Sequence, residues 1–397
     1  MSIFKTKSRI INYVILITLF FISCSNPQAK YENMVRKGMV DQQATAETVA
    51  LFDNLGKLSA NHILFGHQHA TEYGRGWNGD ENRSDVKDAT GSHPAVIGYD
   101  FMGFTRAEQS PEAIEKEQQR LAKYISETYD RGGVVTICWH FTNPVQGNSF
   151  YWREGSVRAV EHIIPGGSHH EKYREILDRI GKLAHSTKGA DGKLVPMIFR
   201  PYHEFDGDWF WWGKSHCTRE DFIALWKFTV SYLRDELKVR NFIYAFSPDC
   251  RFNTEEEFLE RYPGNEWVDM VGMDNYHDFG RDASGSLEAG IRKLKIVSDY
   301  AQKHNKLAAF TETGLESIPD TTWWTNTLLH SVKNTGIQMS YVLVWRNDSK
   351  SPTHYYATPK GHPSYNNFME FYNDPFVLFE SGLPDVYTLK LSRATNH

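Results

Sequence analysis

Apolar residues follow two rhythms along this chain. Short, nearly continuous apolar runs of strand length lie at His62–Gly66, Ala95–Asp100, Gly133–His140, Leu194–Pro201, Phe242–Ser247, Val268–Asp274, Leu307–Thr311 and Tyr341–Trp345. They are rich in β-branched and aromatic residues and predict eight β-strands. Between them, apolar positions recur at three- and four-residue spacing. That spacing predicts helices over Glu115–Tyr129, Tyr173–Ala184, Arg219–Leu237, Leu287–Lys303 and Thr321–Asn334. Strands without polar alternation are buried on both faces, as in a parallel sheet covered by helices. Eight such units close a barrel. The fold class predicted is therefore α/β, a (β/α)8 TIM barrel, as a single domain over residues 41–390. Phe141–His170 and Glu255–Trp267 would be insertions in it. A doubly wound open sheet is the alternative. It would want a glycine-rich phosphate loop after the first strand, where this chain has Gly66-His67-Gln68-His69.

The first residues follow a third pattern. Lys5, Lys7 and Arg9 precede an apolar run from Ile10 to Ser23, too short for a comfortable membrane span. A basic start and a short apolar core make a secretory signal. The run ends in Phe21-Ile22-Ser23-Cys24, which resembles a bacterial lipobox. Residues 1–23 are thus expected to be a lipoprotein signal peptide, Cys24 the lipidated residue and 24–40 a tether. The alternative is a conventional cleavage site beside an ordinary cysteine. The expected location is the periplasm, anchored to the outer membrane by lipid alone, with the cell surface as the other destination. Cys138, Cys217 and Cys250 are widely spaced and form no CxxC pair. They read as packing residues that allow at most one disulfide, not as zinc ligands.

Composition narrows the partners. The 397 residues carry a formal net charge of −5, and removing residues 1–23 takes away three basic and no acidic residues, leaving −8. With no basic excess to track a phosphate backbone, nucleic acid is not an expected partner. Aromatic residues make up 14%, including 11 Trp and 20 Tyr. Their flat apolar faces and polar edges suit a sugar-binding cleft, or equally a heavily aromatic core.

In a barrel the chemistry sits at the C-terminal ends of the strands. The residues there are His67 and His69, Asp100, His140, His203 and Glu204, Asp249, Asp274 with Tyr276 and His277, Glu312, and Arg346 with Asp348. Glu204 follows strand four and Glu312 follows strand seven, so both carboxylates can project into one cleft. Two carboxyl groups flanking a glycosidic bond are what glycoside hydrolysis requires. Glu204 precedes Trp209-Phe210-Trp211-Trp212, an apolar setting that keeps a carboxyl protonated. Glu312 lies between Thr311 and Thr313, a polar setting that favours the ionised form.

These residues carry a resemblance. The segment from Arg200 to Gly213, with His203-Glu204 and Trp209 in it, resembles the acid/base motif of glycoside hydrolase family 26. Trp139–Pro144, Asp274-Asn275-Tyr276-His277, Thr311-Glu312-Thr313 and Val344–Asn347 are similar to its other motifs, over about Leu64 to Asp348. The resemblance implies a retaining (β/α)8 barrel, in most members an endo-β-1,4-mannanase, working as a monomer on a β-mannan polysaccharide without cofactor or metal. It implies that Glu204 is the acid/base and Glu312 the nucleophile. It also implies that His203 orients Glu204 or contacts sugar, and that Tyr276 bonds Glu312. Trp209 and Trp345 become sugar platforms, His140 lies beside the −1 sugar, and Arg346 is on the glycone side.

Several readings stay open. β-1,3-xylanase and mixed-linkage β-glucanase are alternatives within the family, and release of mannobiose or short oligosaccharides is an alternative to random internal cleavage. The insertion Phe141–His170 either walls off the glycone end or is a surface loop. From other classes, His67-Gln68-His69 would suit a metal-dependent barrel hydrolase, and a non-catalytic glycan-binding lipoprotein would need the aromatic residues but neither glutamate.

Overall fold

The computed structural model describes residues 27–147 and 149–390. Each apolar run contains a strand: β1 (Ile63–Gln68), β2 (Val96–Asp100), β3 (Val134–Cys138), β4 (Met197–Arg200), β5 (Phe242–Phe246), β6 (Met270–Asp274), β7 (Leu307–Thr313) and β8 (Tyr341–Val344). Each is parallel to the next, and β8 pairs with β1, so the sheet closes as an eight-stranded barrel. A short strand, Val377–Leu378, pairs with β1 from outside the closed ring. The (β/α)8 expectation holds, and the open doubly wound sheet does not.

Burial on both faces explains why the strands read as apolar throughout. Leu64, Val96, Val134, Ile198, Ile243, Met270, Leu307 and Tyr341, near the starts of their strands, share one buried cluster. Val49, Leu51 and Leu55 of the helix Ala46–Leu58 belong to it and close the barrel floor. The alternate residues Phe65, Ile97, Tyr99, Ile137, Phe199, Tyr244, Met273 and Val342 enter a second cluster with the surrounding helices. In the helix His170–Ser186 the positions singled out by spacing, Tyr173, Ile176, Leu177, Ile180, Leu183 and Ala184, are all buried.

Further up the barrel the inward positions turn polar. The period that places Ile198 inside also places Arg200 there, and the one that holds Met270 reaches Asp274. β7 breaks its period. Phe310 pairs with Met273, yet Glu312 pairs with the next residue, Asp274. This bulge lets both Thr311 and Glu312 face the interior, a common device beside active sites.

Helix boundaries differ where local chemistry overrides periodicity. The first predicted helix begins earlier, at Pro111, because the Ser110 side chain caps it and proline suits a first turn. The helix from Arg219 is α-helical to Ser231 and then widens into a π turn over Tyr232–Glu236. The predicted Thr321–Asn334 helix is a π turn over Trp324–Leu329 followed by one α turn, His330–Val332. Ala46–Leu58 and Tyr365–Asn373 are helices that the periodicity did not single out.

The signal peptide and Cys24 lie outside the described residues. Part of the stretch expected as a tether, Pro27–Lys37, is a helix. The Gln28 side chain donates to Leu389 O at 2.7 Å and Tyr31 Oη donates to Asp53 at 2.7 Å, and Met39 joins the floor cluster. A polar composition read as linker here lies along the underside of the barrel. Among the described residues no helix is long and apolar enough to cross a membrane.

Candidate active site

The loop after β4 presents Glu204 on strained backbone. Tyr202 and Glu204 have φ of 51° and 54°, the left-handed region that costs a non-glycine residue of order 1–3 kcal/mol. The surroundings hold it there. Glu204 N donates to Ser247 O at 2.9 Å, and Trp212 Nε1 donates to His203 O at 2.8 Å. The hydroxyl of the buried Tyr202 hydrogen-bonds Thr229 Oγ1 at 3.0 Å. Gly207 is required close by, since a β-carbon would lie 2.3 Å from the Trp209 ring.

Glu204 and Glu312 line one cavity of about 440 Å³ at the C-terminal mouth of the barrel. His140, Tyr151, His203, Trp209, Phe210 and Trp345 form much of its wall. Asp249, Tyr276, His277, Arg281, His354 and Tyr356 complete it.

The two carboxyls are held differently. Glu312 is buried and accepts from the Arg200 guanidinium and from Tyr276 Oη, the latter at 3.1 Å. Arg200 also donates to Asp274 at 2.7 Å, and Ser247 and Thr311 donate to the other oxygen of Asp274 at 2.9 and 2.6 Å. One buried cation thus serves two carboxylates. Glu204 has one donor, Trp209 Nε1 at 2.7 Å. Burial pushes its carboxyl well above the usual carboxylate range, and the charges of Asp274, Glu312 and Asp249 push it further. Glu204 is built to hold a proton, whereas Glu312 accepts from a buried guanidinium and a phenol. Among glycosidase carboxyl pairs, such separated environments mark an acid and a nucleophile.

The other expected site residues divide. Tyr276 donates to Glu312. His140 lies in the wall, its Nδ1 paired with Asp100 Oδ2 at 2.6 Å and its ring 5.8 Å from that of Trp345. His203 makes no hydrogen bond to Glu204: its ring is buried against His140 and Phe210, and its Nδ1 has no hydrogen-bond partner. Burial and the nearby Arg200 hold His203 well below its ordinary pKa, and so neutral. Trp209 reaches the cavity, but its N–H holds Glu204 and the Arg251 guanidinium lies over its ring at 5.1 Å. Arg346 is not in the cavity wall; it bonds Asp348 at 2.5 Å and sits over the Tyr73 ring. Of the aromatic run, Trp211 and Trp212 are fully buried packing residues. The insertion after β3 supplies Tyr151, which bridges to Phe210.

Arg200 enters the sequence reading only as the first residue of the acid/base motif, which gives no sign of its role beneath Glu312. A charged residue in register with an apolar inward position was the available signal. Arg281, His354 and Tyr356 come from loops whose sequence gave no local sign. Tyr356 is placed by the buried Asn347, whose side-chain oxygen accepts from Tyr356 N at 2.8 Å and Ala357 N at 2.9 Å, and His354 Nδ1 pairs with Glu316 at 2.7 Å. Gly314 makes room for Tyr356, since a β-carbon there would lie 2.5 Å from its ring.

Two donor groups among the described residues are close enough to share a cation, His203–Asp274–Glu312 and Asp100–Cys138–His140. In the first, Arg200 already supplies the positive charge. In the second, His140 and Asp100 stand 2.6 Å apart, a hydrogen-bond separation and too short for two ligands each about 2 Å from a tetrahedral ion. His67 and His69 join neither group. His69 bonds Glu72, and the fully buried His67 is pushed down to about 4 by desolvation. Cys138, Cys217 and Cys250 are buried free thiols.

Known proteins share this architecture. A family 26 protein, GH26C, from Muricauda sp. superposes with a TM-score of 0.85 at 39% identity, covering 91% of this chain and 98% of its own. A family 26 beta-mannanase from Bacteroides ovatus gives a TM-score of 0.81 at 40% identity, over 89% of this chain and 100% of its own. A mannan endo-1,4-beta-mannosidase from Bifidobacterium adolescentis is 36% identical over 280 residues. That match takes in 69% of this chain but 27% of the longer relative. The sequence profile described as glycosyl hydrolase family 26 matches residues 40–376, from the barrel floor to the last helix, and takes in both glutamates. A barrel whose β4 and β7 carboxyls meet in one cavity, matched in profile and in structure over most of its length, belongs to glycosyl hydrolase family 26.

Proposed function

We propose that this chain is a retaining endo-β-1,4-mannanase acting on mannan, galactomannan or glucomannan. The observation that carries the proposal is the asymmetry of the two carboxyls in one cavity, Glu312 beneath two donors and Glu204 among negative neighbours. The names of the Bifidobacterium relative and the Bacteroides structure support the choice of mannan. In the first step the Glu312 carboxylate attacks the anomeric carbon. The bond to the leaving oxygen breaks, and that oxygen takes the Glu204 proton. In the second step Glu204 takes a proton from water as the water oxygen displaces Glu312, so the sugar leaves with its configuration retained. Arg200 and Tyr276 hold the nucleophile, and Trp209 holds the acid. His140 and Trp345 lie against the sugar, and His203, kept neutral, fills the wall behind it. We further propose that the chain is exported and anchored through Cys24, on the strength of the basic start, the short apolar core and the lipobox-like ending.

The test is reducing-sugar release from galactomannan, glucomannan, mixed-linkage glucan and β-1,3-xylan by wild type, Glu204→Ala and Glu312→Ala. The mannans are expected to be cleaved, and each variant to lose about 100-fold or more in kcat. Wild-type rates in both variants would end the two-glutamate reading. Cleavage of xylan or glucan in preference to mannan would reassign the substrate.

A further inference from the structure

Arg281 stands out among the cavity residues because no carboxylate claims it. Its guanidinium lies 3.8 Å over the Tyr276 ring, and among the described residues it forms no ion pair. Such cations are normally matched by acids, and here the neighbouring Asp282 lies toward His277 instead, at 3.7 Å. The placement is built, not incidental. The loop folds back on itself, with Arg281 N donating to Tyr276 O at 3.1 Å across Gly280, whose φ is 107°. Beneath it Asp278 accepts from Lys293 Nζ at 2.7 Å, from Asn275 at 2.8 Å and from Ser286 N at 3.2 Å. Phe279 is fully buried, and its carbonyl accepts from Trp323 at 2.8 Å. The loop is therefore ordered before any ligand arrives, which lowers the entropic cost of using Arg281.

Its position says what it would touch. The line from Glu204 on β4 to Glu312 on β7 divides the mouth. The loops after β3 and β8 bring His140 and Trp345 to one side, and those after β5 and β6 bring Asp249, His277 and Arg281 to the other, where Tyr356, from further along the β8 loop, meets the Arg281 guanidinium. Tyr276 stands between Arg281 and the nucleophile, and Arg281 lines the same cavity as Glu204. With the retained sugar against His140 and Trp345, Arg281 faces the departing sugar, which takes the proton of Glu204, on the opposite side. A guanidinium fork matches a pair of neighbouring hydroxyls as readily as a carboxylate.

We propose that Arg281 is the specificity residue for the leaving-group sugar, its stacked guanidinium donating to two adjacent hydroxyls of the residue expelled from Glu204. This rests on the glycosidase reading above. The test compares 2,4-dinitrophenyl β-mannobioside, which has no sugar in the leaving position, with mannopentaose. Arg281→Ala and Arg281→Met are expected to lose about 10- to 100-fold in kcat/KM on mannopentaose and to stay within about twofold on the aryl substrate. Methionine keeps much of the cover over Tyr276, so its failure to rescue separates donation from packing. Arg281→Lys, with a single point charge, should fall between. With added mannobiose as acceptor, the variants should also divert less of the glycosyl intermediate to transfer products, since the acceptor must occupy the same place. Equal losses on both substrates, full activity of Arg281→Met, or an unchanged transfer ratio would each overturn the proposal. Wild type inactive on both substrates would instead refute the parent reading.

Discussion

Replacing Trp209 with phenylalanine tests how the acid is tuned. The substitution keeps an aromatic ring beside the cavity and removes the one side-chain donor to Glu204, 2.7 Å from Oε2. A hydrogen bond to an ionised acceptor is worth about 1.5–3 kcal/mol and one to a neutral acceptor about 0.5–1.5, so the bond favours the anion by about 1–1.5 kcal/mol. One pH unit is 1.36 kcal/mol. Glu204 is half-buried, so solvent recovers part of that difference, leaving about 0.5–1 unit. The bond lowers the pKa of Glu204, hence its loss raises it. The alkaline limb of kcat/KM reports the loss of this proton and should move up by that amount. The assay is the pH profile on a soluble manno-oligosaccharide, with the aryl mannobioside as control because its leaving group needs no proton. A limb that stays still or moves down, with activity reduced evenly at every pH, would show that Trp209 acts only as a surface for sugar.

Asp249→Asn should shift the same limb the other way. Asp249, pushed up to about 7 by burial and the neighbouring Asp206, is ionised on the alkaline side, and removing that charge lowers the pKa of Glu204 by roughly 0.5–1 unit. An unmoved profile would mean the charge is screened. Arg200→Met strands Asp274 and Glu312, both buried, and should cost about 3–5 kcal/mol in urea denaturation besides abolishing activity. A variant as stable as wild type would show that the carboxylates find another partner. Prolonged EDTA treatment should leave hydrolysis intact, because Arg200 already supplies the positive charge at Asp274 and Glu312. Loss of activity restored by a divalent ion would contradict this.

The barrel was legible because its strands are buried on both faces, which writes each one as an apolar run. The pair of cavity carboxyls, Glu204 and Glu312, was legible because both residues follow such runs directly. What sequence position did not convey is direction. Glu312 follows Thr311, an inward residue, and strict alternation would turn it outward; only the bulge against Asp274 brings it in. The resemblance makes Trp209 a surface for sugar, and the bond from its N–H to Glu204 is a further role that spacing does not carry. Arg346 sits one residue past Trp345, yet its bond to Asp348 takes it out of the cavity wall. The helix Pro27–Lys37 was hidden because its polar residues gain their partners from Asp53 and Leu389, distant in sequence.

That same helix sets the bearing of the whole molecule. It rests beside the closed end of the cylinder, among the residues that pack with Leu64, Val134 and Leu307, while both glutamates open at the far end. Pro27 therefore lies on the underside of the barrel. A substrate reaching Glu204 and Glu312 approaches the face turned away from this helix.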